Sequence, residues 1–352
     1  MKKILSIVIP TYNMEQLLPL CLDSLVGSAA ATALEIVVVN DGSKDGSLAV
    51  AQRYAESYPD VVRVIDKQNG NYGSTINAAL PTLVGEYVKI LDADDTFDTA
   101  AIAPFVGYLE QISGADMVVG PFVEIDSRGE HRVDYNLYSR KIYGYGVPYN
   151  AERLFEDGHI AYFMMHSVAY RTELLRQMGY RQSEGISYTD QQWCFFPIFN
   201  IESVAFTDIA LYRYNLMREG QTMDSRVQLK SIGQLTAVVL SMAEYLREHG
   251  RGLSAARYNF LAGVVVRRMQ TVMRKYLLEM DDRAFEMSEF SVTLEHFKQL
   301  APQSLTVPVN GRLKIDLLSH WEQCGARYPQ WKRRCLIAAD RAMQRVYKLI
   351  FN

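Results

Sequence analysis

The chain has 352 residues, of which 49% are hydrophobic and 22% are charged, and its formal net charge at pH 7 is −3. This length favours a core domain with a substantial appendage, and the near-balanced charge predicts no nucleic-acid partner. The four cysteines are widely spaced and show no metal-binding motif, which predicts reduced thiols in the cytoplasm.

Residues 1–125 alternate short β-branched runs with helical periodicity, a pattern typical of a mainly parallel α/β sheet. We predict strands at residues 4–9, 35–39, 61–65 and 87–91. Polar or glycine residues follow three of these strands, at 11–13, 40–43 and 92–95. Because ligands of open α/β sheets lie at the carboxyl ends of the strands, we expect the three polar segments to converge on one crevice.

The middle of the chain has a mixed pattern, with predicted strands at 116–120, 167–170 and 210–214, a turn at 126–130 and a helix after Thr189-Asp190. Long helices follow, which we predict at residues 228–249, 254–280, 283–300 and 329–350. The change of pattern predicts two domains, residues 1–225 and residues 226–352. The second is predicted to be a helical region suited to contact with a membrane surface or with other subunits.

The last predicted helix is rich in basic residues, which are Lys332, Arg333, Arg334, Arg341, Arg345 and Lys348, against a single acid, Asp340. A basic amphipathic helix is typical of a membrane-surface element. A helix packed on its neighbours with a solvated basic face would show the same pattern. No segment has the roughly 20 consecutive apolar residues that span a bilayer, so we expect a soluble protein, or one attached peripherally to the inner face of the cell membrane.

The strongest chemical signal is YVKILDADD at 87–95, where an apolar strand is followed by Asp92, Asp94 and Asp95. Clustered carboxylates repel one another unless a cation compensates, and hard oxygen ligands suit Mg²⁺ or Mn²⁺. Such an ion could bridge diphosphate oxygens and neutralise the charge on a departing nucleotide. Alternatively, the acids lie at the start of a helix that Asp95 or Thr96 caps.

Two further segments would line the same crevice. EIVVVNDGSKDGS at 35–47 offers the Asp41 side chain and a tight turn, suited to a nucleobase or ribose, although a plain turn with a helix cap fits equally well. SIVIPTYN at 6–13 places the hydroxyl of Thr11 and the ring of Tyr12 where a base could stack.

In order and spacing these segments resemble the family 2 glycosyltransferases over residues 4–225, through the motifs IPTYN, VVNDGSKDGS, NGNYGSTIN and GEYVKILDADD and a downstream acidic motif. The resemblance implies the GT-A fold, a Rossmann-like mixed, mainly parallel sheet flanked by helices, here with a helical C-terminal appendage. It also implies an inverting transfer from a nucleotide-diphosphate sugar, with UDP as the expected nucleotide and Mn²⁺ or Mg²⁺ as the cofactor. The implied acceptor is a glycan or a lipid-linked saccharide in cell-surface polysaccharide synthesis.

The resemblance further implies site residues. The expected nucleotide contacts are Pro10, Thr11, Tyr12, Asp41, Asn71, Gly73, Asp92 and Ala93. Asp94 would be the main metal ligand, Asp92 would be shared between metal and ribose, and Asp95 would be structural. For the NGNYGSTIN loop at 69–77, a plain turn before a helix is an equal alternative.

The implied general base, which takes the proton of the acceptor hydroxyl, is Asp190 in GISYTDQQW at 185–193. Thr189 stands where the family usually has Glu, and without the resemblance Asp190 would be interpreted as a helix cap. Downstream, Arg213 or Arg218 could meet the diphosphate or form a surface salt bridge. Core or acceptor-site roles are expected for His159 and His166.

Three other functions match parts of this sequence less well. The segment DADDT at 92–96 also matches the DxDxT signature of phosphatases, but there the signature follows the first strand, and here three predicted strands precede it. A nucleotidyltransferase would need a glycine-rich, basic loop after the first strand, which this sequence lacks. A binding protein that kept the fold and lost catalysis is the remaining alternative, and Asp92, Asp94 and Asp190 argue against it.

Overall fold

The computed structural model describes residues 2–112, 114–135, 143–217, 225–301, 305–309 and 315–351. The chain forms two compact units, one made of residues 1–221 and 253–260 and the other of residues 222–252 and 261–352. The domain boundary predicted at residue 225 stays a prediction.

The first unit contains all the described strands, which are β1 Leu5–Thr11, β2 Leu34–Asp41, β3 Val62–Lys67, β4 Tyr87–Ile90, β5 Thr96–Phe97, β6 Met117–Val119, β7 Phe122–Asp126, β8 Gly129–Val133, β9 Pro148–Asn150, β10 Val168–Arg171, β11 Ser203–Phe206 and β12 Tyr212–Asn215. Eight of them form one sheet in the order β3-β2-β1-β4-β10-β6-β11-β9. The other four form a second sheet in the order β5-β12-β7-β8.

The helices are α1 Leu18–Val26, α2 Ser47–Ser57, α3 Asn71–Ala79, α4 Thr99–Gln111, α5 Ala151–Asp157, α6 Thr172–Gln177, α7 Asp190–Trp193, α8 Ser225–Lys230, α9 Ile232–His249, α10 Ala255–Arg274, α11 Met287–Leu300, α12 Leu317–Cys324 and α13 Gln330–Phe351. The helix predicted at 254–280 is formed by α10, which a π-helical turn, Lys275–Glu279, continues. The helix predicted after Thr189 has only four residues.

The centre of the large sheet is parallel and deeply buried. Strand β1 pairs in parallel with both β2 and β4, and β2 pairs in parallel with β3. Every residue of β2 is buried, which fits a strand covered on both faces, and its β-branched run supplies that burial. The three polar segments therefore follow neighbouring parallel strands at one edge of the sheet, as predicted. The predicted mixed, mainly parallel α/β fold with a helical C-terminal part is confirmed.

The last helix of the second unit turns part of its charged surface inward. Arg333 is 4% exposed, donates to the carbonyl oxygen of Met280 at 2.8 Å and pairs with Asp282. Asp340 is also buried and accepts from Arg274 at 2.6 Å. Of the two interpretations of this helix, the packed one with a solvated basic face does not hold at Arg333, because this guanidinium finds a carboxylate and carbonyl oxygens within its own unit. Binding to a membrane surface stays a prediction.

Among the residues that the structure describes, no helix combines the length and the hydropathy needed to cross a bilayer.

Candidate active site

Three carboxylates lie in one turn directly after β4. The backbone N–H of Asp95 donates to the carbonyl oxygen of Asp92 at 3.0 Å and closes this turn. Asp95 is only 2% exposed, whereas Asp92 and Asp94 are half-buried. The acidic turn, defined here as residues 92–95, thus presents Asp92 and Asp94 to the crevice edge and turns Asp95 inward.

Asp95 joins the two sheets. Its carboxylate accepts from the hydroxyl of Tyr212 and from the backbone N–H of Asn215, both at 2.7 Å. The Tyr212 hydroxyl in turn accepts from the backbone N–H of Asp92 at 3.2 Å. Strand β12 of the second sheet is thereby fixed against the end of β4 in the first.

Asp92 lies in a strongly negative environment. Burial, followed by the charges of Asp95 and Asp94, raises the pKa of Asp92 well above its usual value, while the Tyr72 hydrogen bond lowers it. Asp190 is close enough that its charge also raises this pKa. A bound cation would offset the repulsion, so the electrostatics of the acidic turn fit a metal ion.

His166 adds a nitrogen donor that we did not predict as a ligand. Three possible ligand atoms lie within 4.8 Å of one another, one each from Asp92, Asp95 and His166. His166 is 6% exposed, and its Nδ1 has no hydrogen-bond partner among the described residues. Burial and the nearby Lys89 lower the pKa of His166 to about 3, so the imidazole is neutral near pH 7 and able to bind a metal. Carboxylate oxygens with an imidazole nitrogen suit Mn²⁺, and the residues present fit a divalent cation.

Asp190 is the first residue of α7 and is half-buried. The N-cap of this helix is Thr189, so Asp190 is not the cap that the alternative interpretation required. Thr189 is fully buried and therefore presents nothing to the crevice where the family usually has Glu. Tyr188, just before it, has a positive φ of 68°, which turns the chain sharply into the helix.

The predicted nucleotide contacts fall into two groups. Tyr12 is 45% exposed and Pro10 and Asn71 are half-buried, so these residues are accessible. Thr11 is 1% exposed, and its hydroxyl donates to the carbonyl oxygen of Ile9 at 3.1 Å. Ala93 is 2% exposed, which leaves little side-chain surface for a ligand.

Asp41 uses its carboxylate within the protein. Its Oδ1 accepts from Lys67 Nζ at 2.7 Å and from the backbone N–H of Gly70 at 2.9 Å. The Asp41 carbonyl oxygen accepts from Asn69 Nδ2 at 2.9 Å. Asp41 therefore shapes the loop that leads into α3, next to the predicted nucleotide.

Gly73 is explained by a close approach of two backbones. A Cβ at this position would lie 2.1 Å from the carbonyl oxygen of Ser183, which leaves no room for a side chain. Ser183 belongs to the segment that precedes Asp190, so glycine at 73 lets α3 meet the loop of the predicted base.

The two arginines predicted downstream have different outcomes. Arg213 pairs with Glu130, which is the salt-bridge alternative. Arg218 lies outside the described residues. The other expected histidine, His159, is exposed.

Tyr72 was not predicted as a site residue, and His166 was expected in the core or the acceptor site and not as a metal ligand. Tyr72 donates its hydroxyl to Asp92 Oδ1 at 2.8 Å, and His166 lies beside the acidic turn. The only signal for Tyr72 was its place inside the NGNYGSTIN motif, and nothing in the spacing indicated His166.

The chain is similar to a protein family model and to several known proteins. Residues 6–179 match the model described as glycosyl transferase family 2. The chain is 33% identical to the uncharacterized glycosyltransferase MG025 homolog of Mycoplasma pneumoniae, over 34% of this chain and 40% of that protein. It is 27% identical to the poly(ribitol-phosphate) beta-N-acetylglucosaminyltransferase TarS of Staphylococcus aureus, over 62% of this chain and 37% of that protein. The match thus spans less than half the length of these curated relatives.

A solved structure shares the fold. The crystal structure of S. aureus TarS 1-349 in complex with UDP superposes with a TM-score of 0.62 at 20% identity, covering 85% of this chain and 81% of that one.

Proposed function

We propose that this chain, which belongs to glycosyltransferase family 2 and has its GT-A fold, is an inverting, metal-dependent enzyme that moves a sugar from a nucleotide-diphosphate donor to an acceptor hydroxyl. The observation that carries the proposal is the convergence of the acidic turn and Asp190 at one edge of the sheet, near enough that the charge of Asp190 raises the pKa of Asp92. An acidic metal site next to a separate carboxylate supplies the two chemical parts that such a transfer needs.

The donor nucleotide is proposed to be UDP. TarS, whose fold is shared, was crystallised with UDP, and its name describes a sugar transferred to poly(ribitol-phosphate). We therefore propose a UDP-sugar as the donor and a glycan or lipid-linked saccharide of the cell surface as the acceptor. The sugar itself is set by loop residues whose chemistry varies between proteins of one fold.

We propose that Asp94 and Asp92 hold the divalent cation, as the family resemblance implies. His166 is a candidate third ligand, because its ring nitrogen lies within 4.8 Å of carboxylate oxygens of Asp92 and Asp95. Mn²⁺ or Mg²⁺, when bound, supplies positive charge that stabilises the departing diphosphate. Tyr12, 45% exposed at the end of β1, offers a ring on which the base can stack.

Asp190 is the proposed general base. It accepts the proton of the acceptor hydroxyl while that oxygen forms a bond to the anomeric carbon. The bond from this carbon to the diphosphate oxygen breaks in the same displacement, and attack from the opposite side inverts the anomeric centre. A binding protein without catalysis would not need a carboxylate here.

The decisive test is Asp190→Asn, which keeps the shape of the side chain and removes its basicity. We expect turnover to fall by roughly 10²–10⁴-fold, while UDP affinity in the presence of Mn²⁺ changes by less than about twofold because the base does not touch the nucleotide. Turnover is measured as nucleotide release over a panel of sugar nucleotides, and affinity by calorimetry.

Glu173→Gln is the matched control, because this carboxylate lies on α6 with its side chain 54% exposed and outside the site. Unchanged turnover in Asp190→Asn would remove Asp190 from the mechanism. If the wild-type protein releases no nucleotide from any donor, the proposed function is wrong.

A further inference from the structure

Tyr72 connects two parts of the site that lie apart in the sequence. It is the second residue of α3, and its hydroxyl donates to Asp92 Oδ1 at 2.8 Å, 20 residues further along the chain. The same hydroxyl lies 3.5 Å from the sulfur of Met165. Asn71, just before it, has a positive φ of 64°, a conformation that few residues other than glycine adopt easily.

We propose that Tyr72 is a positioning residue for the donor site: its hydroxyl holds one oxygen of Asp92, so that the other oxygen faces the cation or the ribose of the bound nucleotide. The inference rests on the proposed function, since it takes Asp92 as a residue that meets metal or nucleotide. The proposed role of Tyr72 is exerted through Asp92, to which its hydroxyl donates.

Contacts on one side hold the turn that carries Tyr72 to strand β2. The backbone N–H of Gly70 donates to Asp41 Oδ1 at 2.9 Å. Ser74, one turn into α3, donates its hydroxyl to the carbonyl oxygen of Asn71 at 2.6 Å and accepts from Lys67 Nζ at 2.8 Å. These bonds fix the backbone before and after Tyr72.

Contacts on the other side hold the same turn to the segment before Asp190. Gly73 meets the carbonyl oxygen of Ser183 at a distance that excludes a Cβ. Asn77 accepts from the backbone N–H of Gln182 and donates to its carbonyl oxygen, both at 2.9 Å. The tyrosine ring therefore has little freedom to move away from Asp92 unless both attachments also move.

The chemistry of this hydrogen bond explains why a hydroxyl is needed. Asp92 is surrounded by Asp94 and Asp95, whose charges raise its pKa and would repel its carboxylate. A donor to an ionised carboxylate forms a short, directional bond that counters this repulsion. Hydrogen bonds to ligating groups orient them, and their loss commonly lowers metal affinity by about 10–100-fold.

The test is Tyr72→Phe, which keeps the ring and removes the donor. Mn²⁺ is titrated in the presence of UDP, with free Mn²⁺ followed by electron paramagnetic resonance and UDP binding by calorimetry. We expect the Mn²⁺ midpoint to rise by about 10-fold or more, and saturating Mn²⁺ to restore UDP affinity to within about twofold, because Asp92 remains present and only its orientation is lost.

Tyr108→Phe is the matched control, since it removes a tyrosine hydroxyl that donates to the Phe206 carbonyl oxygen at 2.6 Å, away from the acidic turn. An unchanged Mn²⁺ midpoint in Tyr72→Phe, or an equal rise in Tyr108→Phe, would overturn the inference. A wild-type protein that binds Mn²⁺ and UDP but transfers no sugar would contradict the proposed function, while a shifted midpoint would still support the role of Tyr72. UDP binding that is independent of Mn²⁺ would overturn both.

Discussion

Asp41 and Asp92 lie in opposite electrostatic environments, although both are at the carboxyl ends of buried parallel strands of the same sheet. Asp41 accepts from Lys67 at 2.7 Å and from the N–H of Gly70, so its charge is compensated by its own chain. Asp92 has Asp94 and Asp95 beside it, and these raise its pKa. The first carboxylate is a structural part of the loop, and the second is suited to an external cation.

This difference shows that a position at the end of a strand does not by itself decide whether a carboxylate is structural or binds a cation. Lys67 is the last residue of β3 and pairs in register with Asp41, so the cation that neutralises Asp41 comes from the neighbouring strand. No lysine or arginine pairs with Asp92 among the described residues. The residues around each carboxylate therefore decide whether its charge is compensated by the chain or by a ligand. Changing each carboxylate in turn tests this.

The largest expected effect is on metal-dependent binding. We expect Asp92→Asn to weaken Mn²⁺-dependent UDP binding by about 100-fold, the upper range for a disturbed metal site, because the amide removes a charged oxygen ligand. The same change relieves repulsion from Asp94 and Asp95, so the free energy of unfolding should not fall. Calorimetry with UDP and urea denaturation measure the two quantities, and unchanged UDP affinity would remove Asp92 from the donor site.

The change at Asp41 should give the opposite pattern. Asp41→Asn leaves the Lys67 ammonium, whose side chain is 23% exposed, without its carboxylate. We expect the free energy of unfolding to fall by about 2 kcal/mol, below the range for fully buried pairs because Lys67 keeps some contact with water. The Mn²⁺ midpoint should stay unchanged once the protein is folded, because the amide oxygen that replaces Asp41 Oδ1 still accepts from the Gly70 N–H. If Asp41→Asn instead loses Mn²⁺-dependent UDP binding and keeps its free energy of unfolding, Asp41 has the role that we assign to Asp92.

The sequence predicted the strands that form the frame of the site, and it did so where the signal was long. Strands β1 and β2 are carried by runs of buried, largely β-branched residues, and the polar segments at their carboxyl ends lie at one edge of the sheet, as expected. Strands β5 and β9 have two and three residues, too short for any periodicity to appear. The helix predicted after Thr189-Asp190 forms as α7, and its apolar pattern continues past Trp193 in a 3₁₀ turn, Phe196–Phe199.

Side-chain pairing was much less predictable. Tyr72 and Asp92 meet only because α3 and β4 are packed in one unit, and the same holds for Lys67 and Asp41. Helical periodicity grouped Arg333 with the other basic residues of the last helix and gave no sign of Asp282, its partner from another segment. Such pairs depend on distances across the fold, which local spacing does not specify.

The smallest expected effect concerns Lys89, a lysine that lies near the acidic turn but forms no ion pair among the described residues. It is 3% exposed and donates to the carbonyl oxygens of His166 at 2.7 Å and Val168 at 3.0 Å. Burial lowers its pKa from 10.5 to about 7. Between these values the unfolded chain binds more protons than the folded one, so stability rises with pH.

We expect the free energy of unfolding to rise by about 1 kcal/mol between pH 7 and pH 8, close to the limit for one group, and Lys89→Met to abolish this rise. Urea denaturation at the two pH values measures it. If the free energy of unfolding rises equally with pH in the wild-type protein and in Lys89→Met, Lys89 keeps its proton inside the fold. Lys89 would then carry a charge, as Lys67 does. Asp41 and Asp92 would differ because Lys67 reaches Asp41 whereas Lys89 does not reach Asp92, and not because a charged lysine is lacking beside the acidic turn.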